Sequence, residues 1–147
     1  MGSRNVFRGV LHASWRDRWT IAGIVCVATW CECQIRWAPL PVLARRFGVR
    51  LGGAGDDDVA DGLPDLPLWA RRRLRLTRRV MRHWPVSGVC LRYSLVAGRQ
   101  LRALDPELRV GVGKRDGSVV AHAWLVIGGR SLDVFEDAYR ELPLELA

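Results

Sequence analysis

Val119-Val120-Ala121-His122-Ala123-Trp124-Leu125-Val126-Ile127-Gly128-Gly129-Arg130-Ser131-Leu132-Asp133 is the stretch from which the fold can be read. Val119 to Ile127 is rich in β-branched and aromatic residues, Gly128-Gly129 offers a two-residue turn, and Arg130 to Phe135 resumes as a strand. With the glycines at the centre of the turn, Ile127 faces Arg130 and the pairing runs back in step. Trp124 then faces Asp133, and His122 faces Phe135. Directly opposed residues project from the same side of a sheet, so His122 and Asp133 are diagonal neighbours about 7–8 Å apart at Cα. A slip of one residue would put Asp133 on the other face.

Upstream, the period of two continues. Leu108, Val110 and Val112 alternate with Arg109, Gly111 and Gly113, and Lys114-Arg115-Asp116-Gly117 turns the chain. Before that strand lies a helical stretch containing Cys90, which Asp105-Pro106 stops. Its inner face runs through Leu91, Leu95, Gly98 and Leu101 or Arg102, and Ser87 is placed to cap its first turn. The second half of the chain thus predicts one helix against a three-stranded antiparallel sheet, an α+β arrangement. The C-terminal segment, with Tyr139, Leu142 and Leu144, is expected to pack back as a short helix or loop.

Leu68 to Trp84 predicts an amphipathic helix with Leu74, Thr77, Val80 or Met81 and Trp84 inward, and Arg72, Arg75, Arg79 and Arg82 outward. Ser14 to Phe47 predicts further helix. Trp15, Trp19, Ala22, Val25 or Cys26, Thr29 or Trp30 and Cys33 recur at helical spacing, and the tryptophans are expected to pack. Pro39 and Pro41 interrupt the pattern, and Ala44 to Phe47 reads as a second short helix ending at Gly48. Between the halves, Gly52 to Pro67 carries Gly-Gly-Ala-Gly, Asp56-Asp57-Asp58, Pro64 and Pro67, the composition of an acidic linker. The expected organisation is a helical region over 1–51, a linker over 52–68 and a core over 69–147.

The chain has 147 residues and a net charge of +8, with Lys114 its sole lysine. Residues 69–102 hold ten Arg and no acid, while 51–68 hold five Asp and no base. A basic block can grip phosphate or an acidic peptide, but it is more often a solvated helix face. Neither interleaved exposed aromatics nor a nucleic-acid motif is read in it, so nucleic acid is not the expected partner. Cys26, Cys31, Cys33 and Cys90 lack metal-ligand spacing, and a reduced, cytoplasmic protein is the simplest account. Ile21 to Cys31 is too short and too soon closed by Glu32 to span a bilayer, and membrane contact is not expected. The sequence contains no phosphate-binding glycine loop, so neither nucleotide nor any other cofactor is expected.

Cys90, His122 and Asp133 remain as a thiol, an imidazole and a carboxylate in that order. These are the parts of a cysteine nucleophile, its base and the group that orients the base. A cysteine in the first turn of a helix lies among amide dipoles that favour the thiolate, and its own backbone N–H is a natural oxyanion donor. Trp84 and the 85–89 loop are candidates for a second donor. Glu136 and Asp137 are fallback orienters, and His12 and His83 have no assigned chemistry. Two rivals stand beside this reading: an acyltransferase using the same three residues, and a non-catalytic basic binding protein.

Val89-Cys90-Leu91-Arg92-Tyr93-Ser94-Leu95, Ala121-His122-Ala123-Trp124 and Leu132-Asp133 resemble the transglutaminase-like cysteine proteases of lasso peptide biosynthesis, the stand-alone leader peptidases called B2 proteins. The resemblance spans about residues 69–147, with the N-terminal helices fitting more loosely. It implies a transglutaminase-like or papain-like core, preceded by N-terminal helices. It also implies a ribosomally made precursor peptide as substrate, cut between leader and core. Cys90 is then the nucleophile, His122 the base and acid, and Asp133 the orienter. The implied partners are a leader-binding recognition protein (the B1 partner) and the separate lasso cyclase that closes the freed core.

Overall fold

The computed structural model describes residues 14–52, 63–86, 89–115, 118–132 and 140–141. Five elements precede the sheet core: α1 (Trp15–Ile35), α2 (Leu40–Phe47), β1 (Arg50–Leu51), α3 (Leu68–Arg82) and α4 (Val89–Gln100). A short 3-10 turn at Arg102–Leu104 follows, then β2 (Glu107–Arg115), β3 (Ser118–Ile127), β4 (Arg130–Ser131) and β5 (Arg140–Glu141). The fold is α+β, with N-terminal helices ahead of a cysteine-bearing helix that packs on the sheet.

The sheet runs in the order β1-β2-β3-β4, with β5 also on β2. The β3–β4 hairpin has the predicted register, Ile127 opposite Arg130 and Val126 opposite Ser131. Gly128 and Gly129 take φ of 58° and 73°, a pair of left-handed conformations that only glycine adopts cheaply. The step continues to Leu132, whose N–H bonds to the Leu125 carbonyl at 2.9 Å. Asp133, the predicted strand end at Phe135, the fallback residues Glu136 and Asp137, and Tyr139, Leu142 and Leu144 lie outside the described residues.

Two strands depart from the sequence reading. β1 pairs parallel with β2 at Glu107 and Leu108, which makes the sheet mixed rather than antiparallel. β5 pairs antiparallel with β2 at Gly111 and Val112, where a helix or loop was expected. Both use the edge of β2 turned away from β3. A nine-residue strand leaves more backbone to satisfy than β1 alone can cover.

α4 is buried on almost every side from Ser94 to Gly98, and its close approach to the neighbouring loop depends on Gly98. A Cβ there would run into Val49. α2 starts at Leu40, four residues earlier than expected, because a proline in the first helical turn forfeits no hydrogen bond. Gly48 ends it at φ 70°. α3 is inward at Leu74, Thr77 and Met81 as read, with Ala70 added, and Arg72, Arg75, Arg79 and Arg82 are exposed.

α1 is rotated relative to the expectation. Its buried stripe is Ile24, Ala28 and Cys31, while Trp15 and Trp19 are 69% and 73% exposed. Trp37, beyond its end, is 87% exposed, and of these four tryptophans Trp30 alone stacks, on Phe47 at 4.5 Å. The small side chains of Ala28 and Cys31 on the inner stripe let α1 lie close to α3 and α4, which a row of indoles would prevent. One hydrophobic core runs through all of these elements, from Ile24 through Phe47 and Leu74 to Leu95, Leu101 and Leu125. Among the described residues no helix is long and apolar enough to cross a membrane.

Candidate active site

Cys90 is the second residue of α4, and His122 sits near the middle of β3. Both line a cavity of about 120 Å³, together with Tyr93, Ser94, Trp124 and Leu132. The helix and the strand are held together by a bond inside this site. Ser94 Oγ donates to the carbonyl of Ala123 at 3.0 Å, fully buried. Cys90 and Ser94 are four residues apart, so they share one helix face. Ala123 lies between His122 and Trp124, so the bond fixes the Cys90 turn against the strand that carries the imidazole. The sequence reading quoted Ser94 without giving it a role; a hydroxyl one turn after the candidate nucleophile was the signal for one.

His122 and Trp124 point to the same side of β3 and stack, with ring centroids 5.9 Å apart and planes inclined by 17°. The imidazole is therefore backed by a large flat ring that limits its orientations. Cys90 and His122 are half-buried, and Trp124 is 4% exposed. The Trp124 indole N–H is buried and finds no acceptor among the described residues. A buried donor without an acceptor costs about 1–3 kcal/mol, so its presence beside Cys90 calls for a reason.

Trp84, one candidate for a second oxyanion donor, is engaged elsewhere. Its Nε1 donates to Glu32 Oε1 at 3.0 Å, and Arg92 Nε donates to the same oxygen at 2.6 Å. Glu32 thus ties α1 to the end of α3 and to the turn of α4 that follows Cys90. Sequence reasoning treated Glu32 only as the residue that closes an apolar run. His83 Nδ1 lies 3.0 Å from the Arg79 carbonyl, at the end of α3. Ser87, the expected cap of α4, lies outside the described residues, as does Asp133. Among the described residues no cluster of His, Cys, Asp and Glu could hold a metal.

A helix-borne cysteine set against an antiparallel hairpin that carries a histidine is the arrangement that cysteine-dependent acyl transfer requires. The chain belongs to the transglutaminase-like superfamily, whose family model matches residues 33–142 and so takes in α2, α3, α4 and β1 through β5. Members of that superfamily are generally cysteine-dependent enzymes, and cysteine protease and acyltransferase chemistry are both compatible with it. No curated protein and no solved structure matches the chain.

Proposed function

We propose that this protein is a cysteine endopeptidase that removes the leader from a ribosomally made lasso precursor peptide. The observation that carries the reading is the shared cavity of Cys90 and His122, held together by the Ser94–Ala123 bond. The quoted motifs around Cys90, His122 and Asp133 add the substrate class, since they resemble leader peptidases.

In this reading Cys90 Sγ attacks the scissile carbonyl, and the thiol proton passes to His122. The carbonyl oxygen becomes an oxyanion between the Cys90 backbone N–H and the Trp124 indole N–H. First-turn amides of a helix have no intrahelical acceptor, and the Trp124 indole N–H has none among the described residues. Collapse breaks the C–N bond as the imidazolium gives its proton to the leaving amine, leaving an acyl thioester on Cys90. Water then attacks the thioester, losing a proton to His122, and the acid product leaves with the thiol restored. Asp133, outside the described residues, is assigned the orienting role because the register read from the sequence expects it on the face of His122.

The test is mass spectrometry of a precursor peptide incubated with the protein and a leader-binding recognition protein, with Cys90→Ala in parallel. The expected result is cleavage at a single leader–core bond, absent in the variant. An added amine captured at the same carbonyl, with no hydrolysis, would replace the protease by an acyltransferase.

A further inference from the structure

A second cavity, of about 470 Å³, adjoins the catalytic one and shares Arg78 and Leu132 with it. Its floor is aliphatic: Leu63, Pro64, Leu66, Leu74 and Leu132. Its other wall is a row of cations on α3, since Arg71, Arg75 and Arg78 are spaced i, i+4, i+7 and share one helix face. The three are not equivalent. Arg71 Nη2 is bound to Asp65 Oδ1 at 2.6 Å, and its Nε to the Leu66 carbonyl at 2.7 Å. Arg78 Nε donates to Tyr93 Oη at 3.2 Å, at the junction of the two cavities. Arg75 makes neither a hydrogen bond nor an ion pair to any described residue. Arg72, one position from the row, is paired with Asp17 of α1 and does not line the cavity.

The volume is within the range of sites that hold a ligand side chain or more. An aliphatic floor with a guanidinium over it suits a peptide segment that carries an apolar side chain and a carboxylate close together. We propose that this cavity is the specificity subsite for the residues flanking the scissile bond. Arg75 takes the carboxylate of an Asp or Glu there, and the leucines take a neighbouring aliphatic side chain. The placement of this subsite beside a scissile bond rests on the endopeptidase reading. The binding preference stands apart from turnover and is measured that way.

The probe is a set of fluorescein-labelled decapeptides with an aliphatic centre. Asp, Asn or Lys is placed in turn at each flanking position, and binding to Cys90→Ala protein is read by anisotropy. The expected result is one position where Asp binds about ten-fold tighter than Asn, about 1.4 kcal/mol, with Lys weaker still. Adding Arg75→Glu should reverse that order, and Arg75→Lys should keep it in weakened form. Arg79→Glu, on the same helix but lining neither cavity, should leave it unchanged. The precursor-peptide cleavage test, with the recognition protein present, is run beside it on the wild-type protein. Binding preference without cleavage there would sink the protease and leave the subsite. No acidic peptide bound, or equal losses at Arg75 and Arg79, would overturn the subsite and mark the basic block as a non-specific field.

Discussion

Four cysteines in one chain sort themselves by environment. Cys31 is buried on the inner stripe of α1, and its thiol is pushed up from 9.0 to about 11, first by burial and then by the neighbouring Glu32 carboxylate, against a smaller opposing pull from Arg92. A raised thiol favours the protonated native state. Its stabilising contribution is therefore complete below the unfolded value near 9 and is lost as pH rises towards 11. A denaturation series should show stability falling between those pH values, by no more than about 3 kcal/mol from this group, and Cys31→Ala should remove that part of the slope. Cys26 and Cys33 are exposed, so iodoacetamide at neutral pH should label them and spare Cys31. Trp124 gives a second test at this scale. Trp124→Phe keeps a flat ring against His122 but removes the N–H. The expected result is a kcat loss of about a hundred-fold with KM and Tm nearly unchanged. A fall in Tm with kcat intact would make the indole a packing residue only.

Elements that a sequence can announce are those with a period or a chemically obligatory turn. The β3–β4 register followed from two glycines, and the inner stripe of α3 from leucines, Thr77 and Met81 interleaved with arginines. β1 and β5 have two residues each, too few to carry any alternation, and both exist because β2 has an open edge. α1 was legible as a helix but not in its orientation, since apolar residues lie all round it and spacing cannot choose between two apolar stripes. The site was legible in Cys90 and His122, whose residue types announce chemistry. It was not legible in Ser94, Trp124 and Glu32, whose roles depend on which atoms tertiary packing brings near. Gly98→Ala tests the packing argument, because the new methyl meets Val49 on α4's most buried face. Overpacking of this kind costs about 1–3 kcal/mol, which for a chain of this size lowers Tm by roughly 3 °C per kcal/mol. The same change should lower turnover in the proposed cleavage only as far as Cys90 is displaced.

Considered whole, the molecule raises the question of where its folded unit begins, which the sequence reading set at residue 69. Composition suggests a break at the acidic stretch, and the superfamily match begins at Cys33, leaving nearly all of α1 outside it. The packing runs the other way. Ile24, Ala28 and Cys31 are at most 1% exposed, and they belong to one cluster with Leu95 and Leu125. Glu32 also reaches across to Arg92 and Trp84. Removing residues 1–35 would take away those buried groups, worth about 1.5–3 kcal/mol for the isoleucine alone. It would also bare their partners on α3 and α4 and delete the shared acceptor. That total is comparable with the whole stability of an ordinary domain, about 5–15 kcal/mol. A chain starting at Arg36 should therefore show no cooperative thermal transition and should bind a hydrophobic dye. The intact protein should melt in a single step, reported alike by far-ultraviolet dichroism and by tryptophan emission. A truncated chain that still melts sharply and cleaves peptide would put the boundary at the acidic stretch and reduce α1 to an appendage.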